Sequence, residues 1–73
     1  MTSETGWNFH DSSHIDASKY DESERTLDIK FANGSIYRYH GVSPGEHRSF
    51  LSAPSAGEYH SRFIKHYECE QVK

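Results

Sequence analysis

The chain has 73 residues, a net charge of −3 at pH 7 and a single cysteine. That length allows one small domain and excludes two-domain enzymes, doubly wound nucleotide folds and barrels. A mean hydropathy of −0.94 leaves no apolar run of the ~18–20 residues a membrane span needs, and a pI near 6.0 is not that of a strong polyanion binder. Met1-Thr2-Ser3-Glu4 lacks the basic and apolar segments of a secretory signal, and Cys69 has no partner for an internal disulfide. A cytoplasmic protein is expected.

Residues 1–12 show no periodicity and read as a flexible N-terminal tail, although Trp7 and Phe9 lie within it. Residues 14–20 alternate loosely and predict a strand with Ile15, Ala17 and Tyr20 inward. After a polar turn at Asp21-Glu22-Ser23-Glu24, Leu27, Ile29 and Phe31 alternate with Asp28 and Lys30, the clearest period-2 pattern in the chain. Asn33-Gly34 is a strong hairpin signal, and residues 35–40 form the returning strand.

Ser43-Pro44-Gly45-Glu46 then reads as a capping box, with Ser43 as the cap and Pro44 at the first helical position. The helix it opens carries His47, Phe50 and Leu51 on one face and stops at Pro54. A second box, Ser55-Ala56-Gly57-Glu58, opens a helix with Tyr59, Phe63 and Tyr67 four residues apart and Ile64 beside them. Residues 69–73 read as a C-terminal tail, leaving a folded unit over 13–68.

Leu, Ile, Val and Phe together number only 12, so the core must draw on the five tyrosines for bulk. The expected architecture is a small two-layer α+β domain, β-β-β-α-α: a three-stranded antiparallel β-meander covered on one face by two short α-helices.

The hairpin can close in two registers. A two-residue turn at Asn33-Gly34 sets Ile29 opposite Arg38 and sends Tyr37 and Tyr39 to solvent beside Lys30, as a stacking platform for single-stranded nucleic acid. A three-residue loop, Ala32-Asn33-Gly34, sets Tyr37 against Ile29 and Tyr39 against Leu27, in the core. A strand's side-chain period of 2 permits nothing between. The second register is favoured, because the first places an unpartnered Arg38 among Leu27, Ile29 and Phe31, at a cost of several kcal/mol.

The ordered series Ile15…Tyr20-Asp21…Leu27-x-Ile29-x-Phe31…Gly34-x-Ile36-Tyr37-x-Tyr39…Gly41-Val42…Ala53-x-Ser55-x-Gly57-x-Tyr59…Ile64…Tyr67 resembles the KTSC domain, whose hallmark is the central Tyr-x-Tyr. The resemblance covers about residues 13–67. The family is named for the C-terminus of some lysyl-tRNA synthetases and also occurs as stand-alone bacterial and phage proteins; RNA binding is suggested by that context, and no catalytic residues come with it. Three positions depart from the family's pattern. Ser18 stands where a bulky apolar residue is common, and His47 and His60 stand where the helices more often carry aromatics.

Six histidines invite a metal reading, with His66-x-x-Cys69 at ligand-like spacing and His60 on the same helix. A zinc site needs four ligands, however, and His60 and His66 fall on different helix faces. No metal or other cofactor is expected. Buried His47 and His60 should titrate below the ordinary imidazole value. No nucleophile–base pair, paired carboxylates or phosphate loop is evident, so neither an enzyme nor a small-molecule substrate is expected. The candidate nucleic-acid contacts are Arg38, His40, Arg48, Arg62, Lys65 and His66, with Tyr37 and Tyr39 assigned to the core. Two functions stay open: an RNA-binding accessory module, or a protein–protein module using the open sheet face around Ile36 with Trp7 and Phe9.

Overall fold

The computed structural model describes residues 7–10 and 12–73. Alternating apolar and polar residues over Thr26–Phe31 make β3, the middle strand of a five-stranded antiparallel sheet. Its neighbours are β2 (Ile15–Asp21) and β4 (Ile36–His40), and the edges are β1 (Asn8–Phe9) and β5 (Cys69–Gln71). The sheet order follows the chain order, so every connection joins neighbouring strands.

The β3–β4 hairpin adopts the register with both tyrosines inward. Leu27 pairs with Tyr39 and Ile29 with Tyr37. The loop is Ala32-Asn33-Gly34: Phe31 N–H donates to the Ser35 carbonyl at 2.8 Å and Gly34 N–H to the Phe31 carbonyl at 2.9 Å. Gly34 has φ +95°, a conformation that a side chain would strain. The wider loop wins because it keeps Arg38 off the apolar face.

Five strands replace the expected three. The two segments assigned to tails supply the additional ones: Asn8 and Phe9 pair with Ser18 and Ala17, and Cys69, Glu70 and Gln71 pair with Tyr39, Arg38 and Tyr37. Strands of two and three residues carry no periodicity to read. They form because the flanks of a three-stranded meander would leave rows of N–H and C=O groups unpaired. In β2 the inward set also differs. An irregularity between Ile15 and Ala17 shifts the pairing, so Ala17 sits opposite Lys30 while Ser18 and Tyr20 sit opposite Ile29 and Leu27. A bulge inverts side-chain parity, which turns Ser18 and Tyr20 to the helical layer and Ala17 to the other face.

Both caps are made. Ser43 Oγ accepts from Glu46 N–H at 3.1 Å and opens α1 (Pro44–Ser52); Ser55 Oγ accepts from Glu58 N–H at 3.2 Å and opens α2 (Ala56–Tyr59). Helix α2 continues directly into a π-helical turn, His60–Ile64, closed by Lys65 N–H donating to the His60 carbonyl at 2.9 Å. The helix therefore ends before Tyr67, and the wider turn breaks the four-residue stripe. Ile64 is fully buried, whereas Phe63 is 50% exposed. Phe50, Ile15, Leu27, Ile29, Ile64 and Val42 form the centre of the core, with Tyr39 among them and Tyr20, Phe31, Tyr37, Tyr59 and Tyr67 packed around it.

Candidate binding surfaces

Cross-strand partners share a face, so the registers define two opposite surfaces. The inner one meets the helices, and its polar atoms are largely consumed internally. Tyr39 Oη lies 2.7 Å from His60 Nε2, and Tyr20 Oη donates to the Val42 carbonyl at 2.6 Å. The Glu46 carboxylate accepts from the hydroxyls of both Tyr59 and Tyr67, tying α1 to α2 and to the turn beyond it. Burial, with smaller contributions from Cys69 and Tyr37, pushes the Tyr39 phenol up to about 12. Burial holds His60 below the ordinary imidazole value. The rings of the Tyr-x-Tyr motif therefore bond within the domain: Tyr39 is 4% exposed, and half-buried Tyr37 reaches Gln71 at 3.3 Å.

The outer face has two informative rows. In one, Lys19, Asp28, Arg38 and Glu70 stand side by side on four successive strands, with the sign of charge alternating. Arg38 grips buried Asp28 with both arms, Nε at 2.9 Å and Nη2 at 3.1 Å, and this bond raises the guanidinium pKa. Trp7, just before β1, lies beside the end of the row, with Lys19 Nζ 5.5 Å from its ring centre. The second row runs Phe9, Ala17, Lys30, Ile36. Phe9 is 81% exposed there. A polar hollow of about 330 Å³ opens between Lys19, Asp21, Glu24, Asp28, Arg38 and His40. Its Asp21 carboxylate is occupied by the β2–β3 turn, accepting from the Ser23 hydroxyl at 2.8 Å and from the Ser23 and Glu24 amides.

The six basic candidates do not converge. Arg38 and His40 lie on the outer face, bound to Asp28 and to Glu70 (3.0 Å). Arg62 belongs to the helical layer and pairs with Glu58 at 3.1 Å. Arg48 is exposed on α1, and Lys65 and His66 are exposed in the turn after the π segment. Among the described residues no cluster of three or more His, Cys, Asp or Glu could hold a metal ion, and no helix is long and apolar enough to cross a membrane. The Asp28–Arg38 pair was readable, since the favoured register sets the two opposite each other. Glu70 and the Ser18–His10 contact (2.7 Å) were not, because their strands carry no pattern.

A sheet of consecutive antiparallel strands with two short helices over one face, centred on an inward Tyr-x-Tyr, defines a small α+β domain. The sequence profile of the KTSC domain matches residues 11–67, and the chain belongs to that family. The crystal structure of a KTSC domain protein from Yersinia pestis superposes with a TM-score of 0.86 at 33% identity, covering 92% of this chain and 96% of that one. A protein from Stutzerimonas stutzeri is 33% identical over 58 residues, which are 77% of this chain and 82% of the relative. A lysine–tRNA ligase from Nostoc sp. is 38% identical over 61 residues, 82% of this chain and 11% of the ligase. This chain spans about a tenth of the length of the ligases it matches.

Proposed function

We propose that this KTSC domain is a non-catalytic, cytoplasmic docking module whose outer sheet face takes up a protein surface. The observation that carries the reading is Phe9, 81% exposed at the edge of a row that runs over buried Ala17 and past Lys30 to half-buried Ile36, beside a charged row that neutralises itself. Apolar contact along the Phe9 row would supply affinity, and the alternating charges would set orientation. The same row disfavours a polyanion, since Arg38 and His40 already hold carboxylates. Nucleic-acid binding is the second reading, favoured by the ligase relatives' name and left to Arg48, Lys65 and His66.

Capture from nuclease-treated and untreated lysate separates the two. Protein docking predicts that one partner survives nuclease, is retained as salt rises from 50 to 200 mM (a range chosen as in) and is lost with Phe9→Ser. Capture abolished by nuclease, weakened about tenfold or more over that salt range and unaffected by Phe9→Ser would reject it in favour of the nucleic-acid reading.

A further inference from the structure

Strand β1 is two residues long, yet Phe9 within it and Trp7 just before it stand on the outer face. Its third anchor is His10. The His10 amide donates to the Asp16 carbonyl at 2.9 Å, and its ring turns inward. There Nε2 meets the hydroxyl of fully buried Ser18 at 2.7 Å, and the ring edge rests on Phe50 at 5.1 Å between centroids. The buried Ser18 hydroxyl is thus met by a histidine from the neighbouring edge. On α1, the His47 ring lies flat on Tyr20, 4.3 Å between centroids, and its Nε2 is buried with no hydrogen-bond partner.

We infer that His10 and His47 form a protonation latch that keeps β1 on the sheet at neutral pH and releases it in mild acid. A proton on His47 Nε2 would create a buried N–H with no acceptor and a buried charge. His10 faces the Ser18 hydroxyl from β2, and Phe50 and His47 from α1. His47 faces the Tyr20 phenol, whose proton is already given to Val42, together with His10 and its own neighbour Arg48. Among the described residues the salt-bridge contacts are Arg38–Asp28, Arg62–Glu58 and, with a histidine as the nitrogen partner, His40–Glu70, so no carboxylate pairs with either ring. Burial lowers the pKa of both histidines, and the charges of His10 and Arg48 lower that of His47 further. The cheapest relief is to lift off the two-residue edge strand, which carries His10 into water and takes its charge away from His47.

The sign follows from linkage. A released imidazole titrates near 6.5 and a docked one lower, so the released form binds more protons. Docking is then strongest above about pH 6.5 and weakens as pH falls, by up to tenfold per pH unit for each histidine. This latch requires no partner, so its test does not depend on the docking reading, although release of β1 would displace Phe9.

Trp7 is the sole tryptophan, so its emission and acrylamide quenching report β1 directly. Between pH 7.5 and 5 (chosen to bracket the free imidazole value), quenching of Trp7 should rise while far-UV circular dichroism holds. His10→Gln combined with His47→Phe should remove the transition. Amide exchange, corrected for its intrinsic pH dependence, tests the wild-type chain independently: His10 should lose protection at a pH where Leu27 and Tyr39 keep theirs. A pH-invariant Trp7 signal, a transition that persists in the double variant, or simultaneous loss of all three amides' protection would overturn the latch.

Discussion

Tyr39→Phe isolates one hydroxyl in the centre of the fold. The side chain is 4% exposed, and its oxygen lies 2.7 Å from His60 Nε2, so the substitution leaves almost no void and removes one hydrogen bond. It also leaves the His60 nitrogen without that partner in a partly buried site, which costs about 1–3 kcal/mol. Taking about 2 kcal/mol as the centre, and 4–8 °C per kcal/mol for a domain of this size, the thermal midpoint should fall by roughly 8–16 °C. Tyr37→Phe is the internal control. Its hydroxyl reaches Gln71 at 3.3 Å at the exposed end of the ring, so the loss should stay within about 0.5 kcal/mol. Urea unfolding followed by circular dichroism, with unchanged slope, measures both. Alkaline titration gives a second reading: with Tyr39 at about 12 in the folded state against about 10 unfolded, its contribution is complete below about pH 10 and lost as pH rises through 12. Equal costs for the two substitutions would refute the assignment of the motif's second tyrosine to the core and its first to the rim.

His47→Phe with His60→Gln should flatten the acid limb of stability. Both imidazoles are held below about 6.5 chiefly by burial, so their contribution is complete above that pH and declines as pH falls through the lowered folded values; urea midpoints at a series of pH values measure the change. Gly34→Ala should cost about 1–2 kcal/mol, all of it conformational, since nothing lies within 4 Å of the added carbon and φ is +95°. The thermal midpoint reports it, and an equal loss for Ala32→Gly would point elsewhere. Ile64→Ala should cost about 2–5 kcal/mol and Phe63→Ala less than about 1, whereas a regular helix through Tyr67 would bury both. A larger urea-midpoint loss for Phe63→Ala would reject the π turn.

The sequence was most legible where a signal spans a few residues. Leu27, Ile29 and Phe31 declared their strand by alternation. Ser43 and Ser55 declared both helix starts, and the cost of burying Arg38 selected the register. Its failures have equally local causes. The irregularity after Ile15 inverts the parity that placed Ala17 inward, and one widened turn exposes Phe63 while Ile64 keeps its expected burial. The six basic candidates lie on separate surfaces, the sheet's outer face and the helical layer. Register and i,i+4 spacing set Asp28 opposite Arg38 and Glu58 one turn before Arg62, but only the assembled sheet shows Glu70 from β5 holding His40.

Read alone, then, the chain determined its central hairpin, its two capped helices and its reliance on phenolic bulk, because turns, caps and side-chain periods act over one to four positions. Tertiary structure alone decided the edge strands, the docking of His10 on Ser18 and the sharing of Glu46 by Tyr59 and Tyr67. Those contacts join residues 8 to 34 positions apart, and they form only after the sheet presents unpaired backbone at its flanks and the helices close over it. No local pattern encodes a partner that only assembly brings within reach.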